Sequence, residues 1–291
     1  MASLFNLGEK NNSVNQRIWI NISLLVVIFA LSVIIFFNKN EIEDELLPLS
    51  SINPKSIINI NVQRKNLDNL FFSKSDGVWN MITPLQFQAN RARIESILKI
   101  LETKSYKQFN LDEVDIAQFA LRSPAVILEL NENKFSFGTN NPINQRRYIL
   151  FNKKIHMIDD FHFPQLTTNA AYFAETKLLP DKANIISIRF PEYTIRLNNG
   201  KWQASVPEYD EEKVKQIINK WEKISAISVS KYEKQEGKKT ITINSMSGHE
   251  INFAIVTTAP YLILGREDLG IQYNMGMDDA KQMFLKTYLQ N

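Results

Sequence analysis

The chain has 291 residues, 44% of them apolar and 22% charged, a composition that supports a folded core rather than disorder. It contains no cysteine, which excludes disulfide frameworks, thiolate metal sites and cysteine nucleophiles. Its 34 basic and 31 acidic residues are scattered along the chain and leave a net charge of +3, without the basic stripe that binding a phosphate backbone requires, so nucleic acid is not an expected partner.

Residues 1–17 form a short polar N-terminus. Residues 18–37 then read IWINISLLVVIFALSVIIFF, uncharged throughout, with Asn21, Ser23 and Ser32 as the polar interruptions. At about 1.5 Å per residue such a helix measures roughly 30 Å, the thickness of a bilayer's hydrocarbon layer, and this predicts a single-pass transmembrane anchor. A cleaved signal peptide would have a shorter apolar run of about 7–15 residues and a small-residue cleavage site. Lys10 and Arg17 precede the segment, whereas Lys39 behind it runs into Glu41, Glu43, Asp44 and Glu45. The positive-inside rule therefore predicts a cytoplasmic N-terminus and an extracytoplasmic body, with the lipid bilayer as the first partner.

Behind a polar, acidic linker (38–54), one pattern occurs twice. Ile58, Ile60 and Val62 alternate with polar residues, as do Ile186, Ile188 and Phe190, the period of a half-buried strand. Each strand leads to a hairpin signal followed by tryptophan: Asp76-Gly77 before Trp79, and Asn199-Gly200 before Trp202. A proline follows each tryptophan, Pro84 and Pro207, and then an amphipathic helix. Its apolar positions are Ile94, Ile97, Leu98 and Leu101 in the first copy and Val214, Ile217, Ile218 and Trp221 in the second, the spacing of one helix face. Asp210, Glu211 and Glu212 suit the second helix's N-terminus. Short alternating runs follow: 125–130, 134–138, 147–151 and 155–158 in one copy, and 240–244, 250–256 and 261–264 in the other. The expected fold is α+β: an N-terminal transmembrane helix, then two repeated antiparallel-sheet-plus-helix units over 55–179 and 180–291, joined through a helical 170–179.

Trp79 and Pro84, the run Asp115-Ile116-Ala117-Gln118-Phe119-Ala120-Leu121 into Pro124, then Phe137-Gly138, Arg147-Tyr148 and the run from Phe173 to Leu179 resemble the DUF4340 family, most clearly over 67–188. That is a bacterial domain of unknown function that commonly follows an N-terminal membrane helix. The resemblance implies a cell-envelope protein of the inner membrane, some of whose relatives occur beside transport or gliding-motility components; it supplies no catalytic residues. The family usually has glycine where Ala120 stands, a departure that bears on a local turn.

Candidate chemistry is sparse. His156, Asp159, Asp160 and His162 combine imidazole and carboxylate as a zinc site does, but strand alternation points Asp159 away from His156 and Asp160, and the four are expected as strand-end polar residues. Asp112 and Asp115 could form an acid–base pair, and are expected instead to cap a short helix ending near Leu121. Arg146 and Arg147 could clamp an anion, and are expected on a solvated strand edge. Trp79 and Trp202 could stack on sugars, and are expected in the core. No catalytic residue, cofactor site or metal site is assigned. The expected function is a membrane-tethered accessory protein that binds another envelope protein; the alternative is a hydrolase of envelope polymers, or a small-ligand module, using a cleft between the two units.

Overall fold

A computed structural model describes residues 9–38 and 46–285. Residues 39–45 of the expected linker, including Glu41, Glu43, Asp44 and Glu45, lie outside the described residues. By its internal contacts the chain divides into Met1–Leu46 and Leu47–Asn291.

The first unit holds helix α1 (Glu9–Asn38). Its described side chains cover residues 18–34, and the hydroxyls of Ser23 and Ser32 fold back onto the carbonyls of Ile20 and Ile28 at 2.9 and 2.8 Å. Among the described residues no helix is long and apolar enough to cross a membrane. The expected transmembrane helix is corrected to that extent.

The second unit is α+β, with two antiparallel sheets. The first is built from β1 (Asn59–Arg64), β2 (Leu70–Ser75), β3 (Val78–Thr83), β4 (Phe87–Gln88), then helix α2 (Arg91–Leu98), β5 (Lys107–Asn110), β6 (Val126–Leu130), β7 (Asn133–Asn140), β8 (Arg147–Phe151) and β9 (Lys154–Ile158), followed by the single-turn α3 (Phe163–Leu166). The second comprises β10 (Ile185–Arg189), β11 (Thr194–Asn198), β12 (Lys201–Ala204), helix α4 (Glu211–Lys223), β13 (Ser228–Lys231), β14 (Thr240–Ser245), β15 (Glu250–Thr257), β16 (Ile263–Arg266) and β17 (Ile271–Asn274), then α5 (Met277–Lys281). Strand order is β4-β3-β2-β1-β6-β7-β8-β9-β5 in one and β12-β11-β10-β14-β15-β16-β17-β13 in the other. Apart from β4 the two orders coincide: in each, the strand after the helix crosses to the far edge.

Local chemistry explains the elements. The turns Asp76-Gly77 and Asn199-Gly200 have positive φ at both residues, as a tight hairpin turn requires. Helix α2 is capped by Asn90, whose side chain accepts from Arg93 N, and α4 by Asp210, which accepts from Lys213 N at 2.8 Å. Both helices bury the faces read from the sequence: Ile94, Ile97 and Leu98 in α2 with Leu101 just beyond it, and Val214, Ile217, Ile218 and Trp221 in α4. Trp79 is buried and Trp202 half-buried. Residues 170–179 depart from expectation. A 3-10 turn covers Ala170–Phe173, after which the chain runs extended, paired by the bridges Ala89↔Ala174 and Lys177↔Ser225, because pairing to the two sheets overrides the helical propensity of the alanines.

Residues 111–124 lie across the outer face of the first sheet, two 3-10 turns replacing the expected short helix. Phe119 meets Tyr148 edge-on with ring centroids 4.6 Å apart, and the Phe119 carbonyl lies where a Cβ on Gly138 would come within 2.1 Å of it. Gly138→Ala should therefore cost about 2–3 kcal/mol in denaturant unfolding, since a backbone carbonyl cannot rotate away. Ala120 ends the second turn at φ 54°, a left-handed conformation that strains any residue with a Cβ. Ala120→Gly is expected to gain about 1 kcal/mol by the same measurement; no gain would mean the turn relaxes at no cost.

Candidate functional site

The four side chains of the possible metal cluster share no partner with one another. His156 Nδ1 shares a hydrogen bond with Ser105 Oγ at 3.0 Å, and His162 Nε2 one with Thr103 Oγ1 at 2.8 Å. Asp159 accepts from Tyr106 Oη at 2.7 Å and Arg146 Nε at 3.2 Å, and the phenol, bonded to that carboxylate, has its pKa raised. Asp160 accepts from two of the three guanidinium nitrogens of Arg147, Nε at 2.6 Å and Nη2 at 2.8 Å, and from Asn140 Nδ2 at 2.9 Å. Among the described residues no group of three or more His, Cys, Asp or Glu is placed to hold a metal.

The solvated-edge expectation for Arg146 and Arg147 is corrected. Strand β8 is interior, flanked by β7 and β9, and Arg147 lies over the Phe163 ring at 3.7 Å while Arg146 lies over Tyr106 at 3.2 Å. Asp115 caps its 3-10 turn, accepting from Ala117 N at 2.9 Å, and Asp112 sits in the first turn of its own.

Burial holds both histidines below the ordinary imidazole pKa of 6.5. The folded state then binds fewer protons than the unfolded one, so their contribution is intact above pH 6.5 and is lost as pH falls from there toward the lowered values. The melting temperature should drop below pH 6.5, with a shallower drop in His156→Gln; equal slopes in both proteins would remove His156 from this account.

One feature that could bind something is a cleft of ≈ 420 Å³ between the two sheets, lined in part by Phe87, Glu175, Leu178, Arg266, Ile271 and Tyr273. Its charged groups are mostly committed to neighbours. Arg266 donates two hydrogen bonds to Asp268, at 2.8 and 2.7 Å, and the guanidinium holds that carboxyl below its usual pKa. Lys177 is paired with Asp181 at 2.6 Å. Glu175 Oε1 accepts from Thr176 N at 2.7 Å and from Asn90 Nδ2 at 3.3 Å. Tyr273 is 3% exposed, and desolvation pushes its hydroxyl up to about pKa 12, so it stays protonated. At the rim, in the β14–β15 turn, Ser247 Oγ and His249 Nδ1 are 2.9 Å apart, and Ser247 Oγ is 2.8 Å from Ser245 Oγ. A serine nucleophile needs its histidine oriented by a third group, and none does so among the described residues; the contact closes a five-residue turn.

Of these cleft residues, Glu175, Lys177 and Leu178 stood out in the sequence as part of the run from Phe173 to Leu179, with no binding role attached.

No curated protein and no solved structure matches the chain. A family model, Domain of unknown function (DUF4340), matches residues 79–245, from β3 of the first sheet into β14 of the second, leaving the N-terminal segment outside. The match begins and ends later than the 67–188 resemblance. Because it covers more than half of the chain, this chain belongs to the DUF4340 family.

Proposed function

We propose that this chain is an accessory protein of the bacterial cell envelope, tethered at the inner membrane by residues 18–37 with its C-terminal unit outside the cytoplasm, and that it binds another envelope protein in the cleft between two copies of one duplicated unit. The observation that carries the binding reading is the cleft itself: its ion pairs are satisfied internally, leaving an apolar lining of Phe87, Leu178, Leu269 and Ile271 as contact surface. Support for the tether is the uncharged sequence 18–37 together with the two serine hydroxyls bonded to the helix's own backbone, which leaves fewer polar groups to desolvate in lipid. The shared strand order and the paired hairpin turns support duplication.

The test is in-cell photocrosslinking from Lys182, on the cleft, against Arg122, on the outer face of the first sheet. One discrete adduct from position 182 and none from 122 supports the reading; no adduct from 182, or the same pattern from both, overturns it. A hydrolase of envelope polymers is the second reading, favoured by the Ser247–His249 contact alone. Unchanged function in Ser247→Ala would remove it.

A further inference from the structure

The two copies differ at one sheet edge. In the first, β4 lies against β3, with Gln88 opposite Asn80, Phe87 opposite Met81, and Ala89 N donating to the Trp79 carbonyl at 2.8 Å. By position after the hairpin turns, Trp202, Gln203 and Ala204 of β12 stand where Trp79, Asn80 and Met81 stand in β3, yet β12 is the last strand of its sheet. The reason lies in the connector. Strand β4 forms within Leu85 to Ala89, between Pro84 and the helix cap Asn90, whereas only Glu208 and Tyr209 separate Pro207 from the cap Asp210. Register shows which groups this leaves over. Ser205 N donates to the Thr194 carbonyl, so alternation makes Arg196 with Gln203 and Asn198 with Lys201 the next bonded pairs of β11 and β12. The main-chain groups of Trp202 and Ala204 then point to the open side. The Glu211 carboxylate holds the Trp202 N–H, while the Trp202 carbonyl and both groups of Ala204 have no main-chain partner among the described residues. Exposure follows the same difference: Trp79, on the covered strand, is 5% exposed, and Trp202, on the open one, is half-buried.

We propose that β12 receives, as an added antiparallel strand, an extended segment of a protein partner that reads bulky apolar residue, any residue, small residue. The first copy specifies this occupant. There Phe87 and Ala89 are buried and Gln88 between them is exposed. The same strand laid on β12 sets its bulky residue beside Ala204, which is smaller than the Met81 that Phe87 meets, and its small residue beside Trp202. Trp202 and Ala204 both pack against the core, so side chains placed next to them extend it. Main-chain bonds to the Trp202 carbonyl and to Ala204 supply the attachment and the alternate side chains the selectivity, as strand addition works in general. Lys201 and Glu211 border the edge, and charge there discourages indiscriminate pairing. The site is separate from the cleft and does not depend on what the cleft binds.

The chain has no cysteine, so a single introduced thiol reports on one place. Full-length protein carrying Gln203→Cys, an exposed position, would be incubated in a glutathione redox buffer with a synthetic peptide of residues 84–90 in which Gln88→Cys supplies the second thiol. Gln203 turns its main-chain groups to β11, so it faces the added strand as a non-hydrogen-bonded pair, where Cβ atoms lie close enough for a disulfide. Mixed disulfide should form about tenfold more than with Arg122→Cys on the outer face of the first sheet. It should fall about tenfold or more when the Phe87 and Ala89 amides of the peptide are N-methylated, which removes two main-chain hydrogen bonds and keeps the side chains. Equal trapping at positions 203 and 122, or trapping that survives N-methylation, overturns the proposal. So does a Gln203→Cys homodimer that excludes the peptide, which would make a second copy of this chain the occupant. The readout sits on β12, so this result and the Lys182 crosslink can fail independently.

Discussion

Trp221→Ala should remove about 3–5 kcal/mol of stability, the range for truncating a fully buried large aromatic side chain. Trp221 is 0% exposed and sits at the end of the buried face of α4, with ring centroids 6.1 Å from Phe190 and 5.7 Å from Phe253. Its Nε1 donates to the Met283 carbonyl at 3.0 Å, so the substitution removes packing and orphans a buried acceptor together. Tyr193 helps hold the same C-terminal stretch, its hydroxyl accepting from Leu285 N at 2.9 Å. Trp221→Phe keeps most of the volume and loses the N–H, so it should cost clearly less. In a unit of this size the alanine variant should melt about 10 °C lower or more. A loss under about 1 kcal/mol in chemical denaturation would show that the tail and α4 are not coupled through this ring.

The second large effect is expected at Asp160. Arg147 and Asp160 have side chains 11% and 19% exposed, and Arg147 also donates to the Gly138 carbonyl at 2.6 Å. Asp160→Ala leaves a guanidinium without its counter-charge in a mostly buried position, which costs about 3–5 kcal/mol when one partner of a buried pair is deleted. Asp160→Asn retains an acceptor and should lose less. Replacing both residues by apolar ones, Arg147→Met with Asp160→Leu, should recover much of the loss, because the double change removes the desolvated charges with their attraction. If Asp160→Ala costs under about 1 kcal/mol, the pair is screened as a surface ion pair would be.

Much of the fold could be read from short-range signals. The turns at Asp76-Gly77 and Asn199-Gly200 and the apolar faces of α2 and α4 depend on neighbours a few residues apart, and the structure has them where the sequence put them. Strands β5 and β13 were not anticipated: four residues each, mostly polar, they alternate too weakly to stand out, and their pairing with β9 and β17 spans some 45 residues of chain. Arg147 was misplaced although the strands on either side of it were read, because what covers it, Asp160 and the Phe163 ring, comes from the segment beyond β9. Ala170 to Leu179 read as helix because propensity is local and the bridges to Ala89 and Ser225 are not. A cleft between the units was expected, but its lining escaped notice because it comes from segments near 87, 175, 249 and 270, which only the folded chain brings together.

The extended segment between the sheets has a further consequence. Glu175 N donates to the Gln88 carbonyl at 3.0 Å, Ala226 N to Thr176 at 2.8 Å and Asn90 N to Phe173 at 2.7 Å, so residues 173–178 are stitched to an element of each half. A connection tied at both ends acts as a splint rather than a hinge. The width between the halves is then set by main-chain hydrogen bonds, and a guest too wide for it gains nothing by waiting for the halves to part. Selection at such a site works as a fixed gauge: little ordering entropy is lost when the right guest enters, and exclusion by size is abrupt rather than graded.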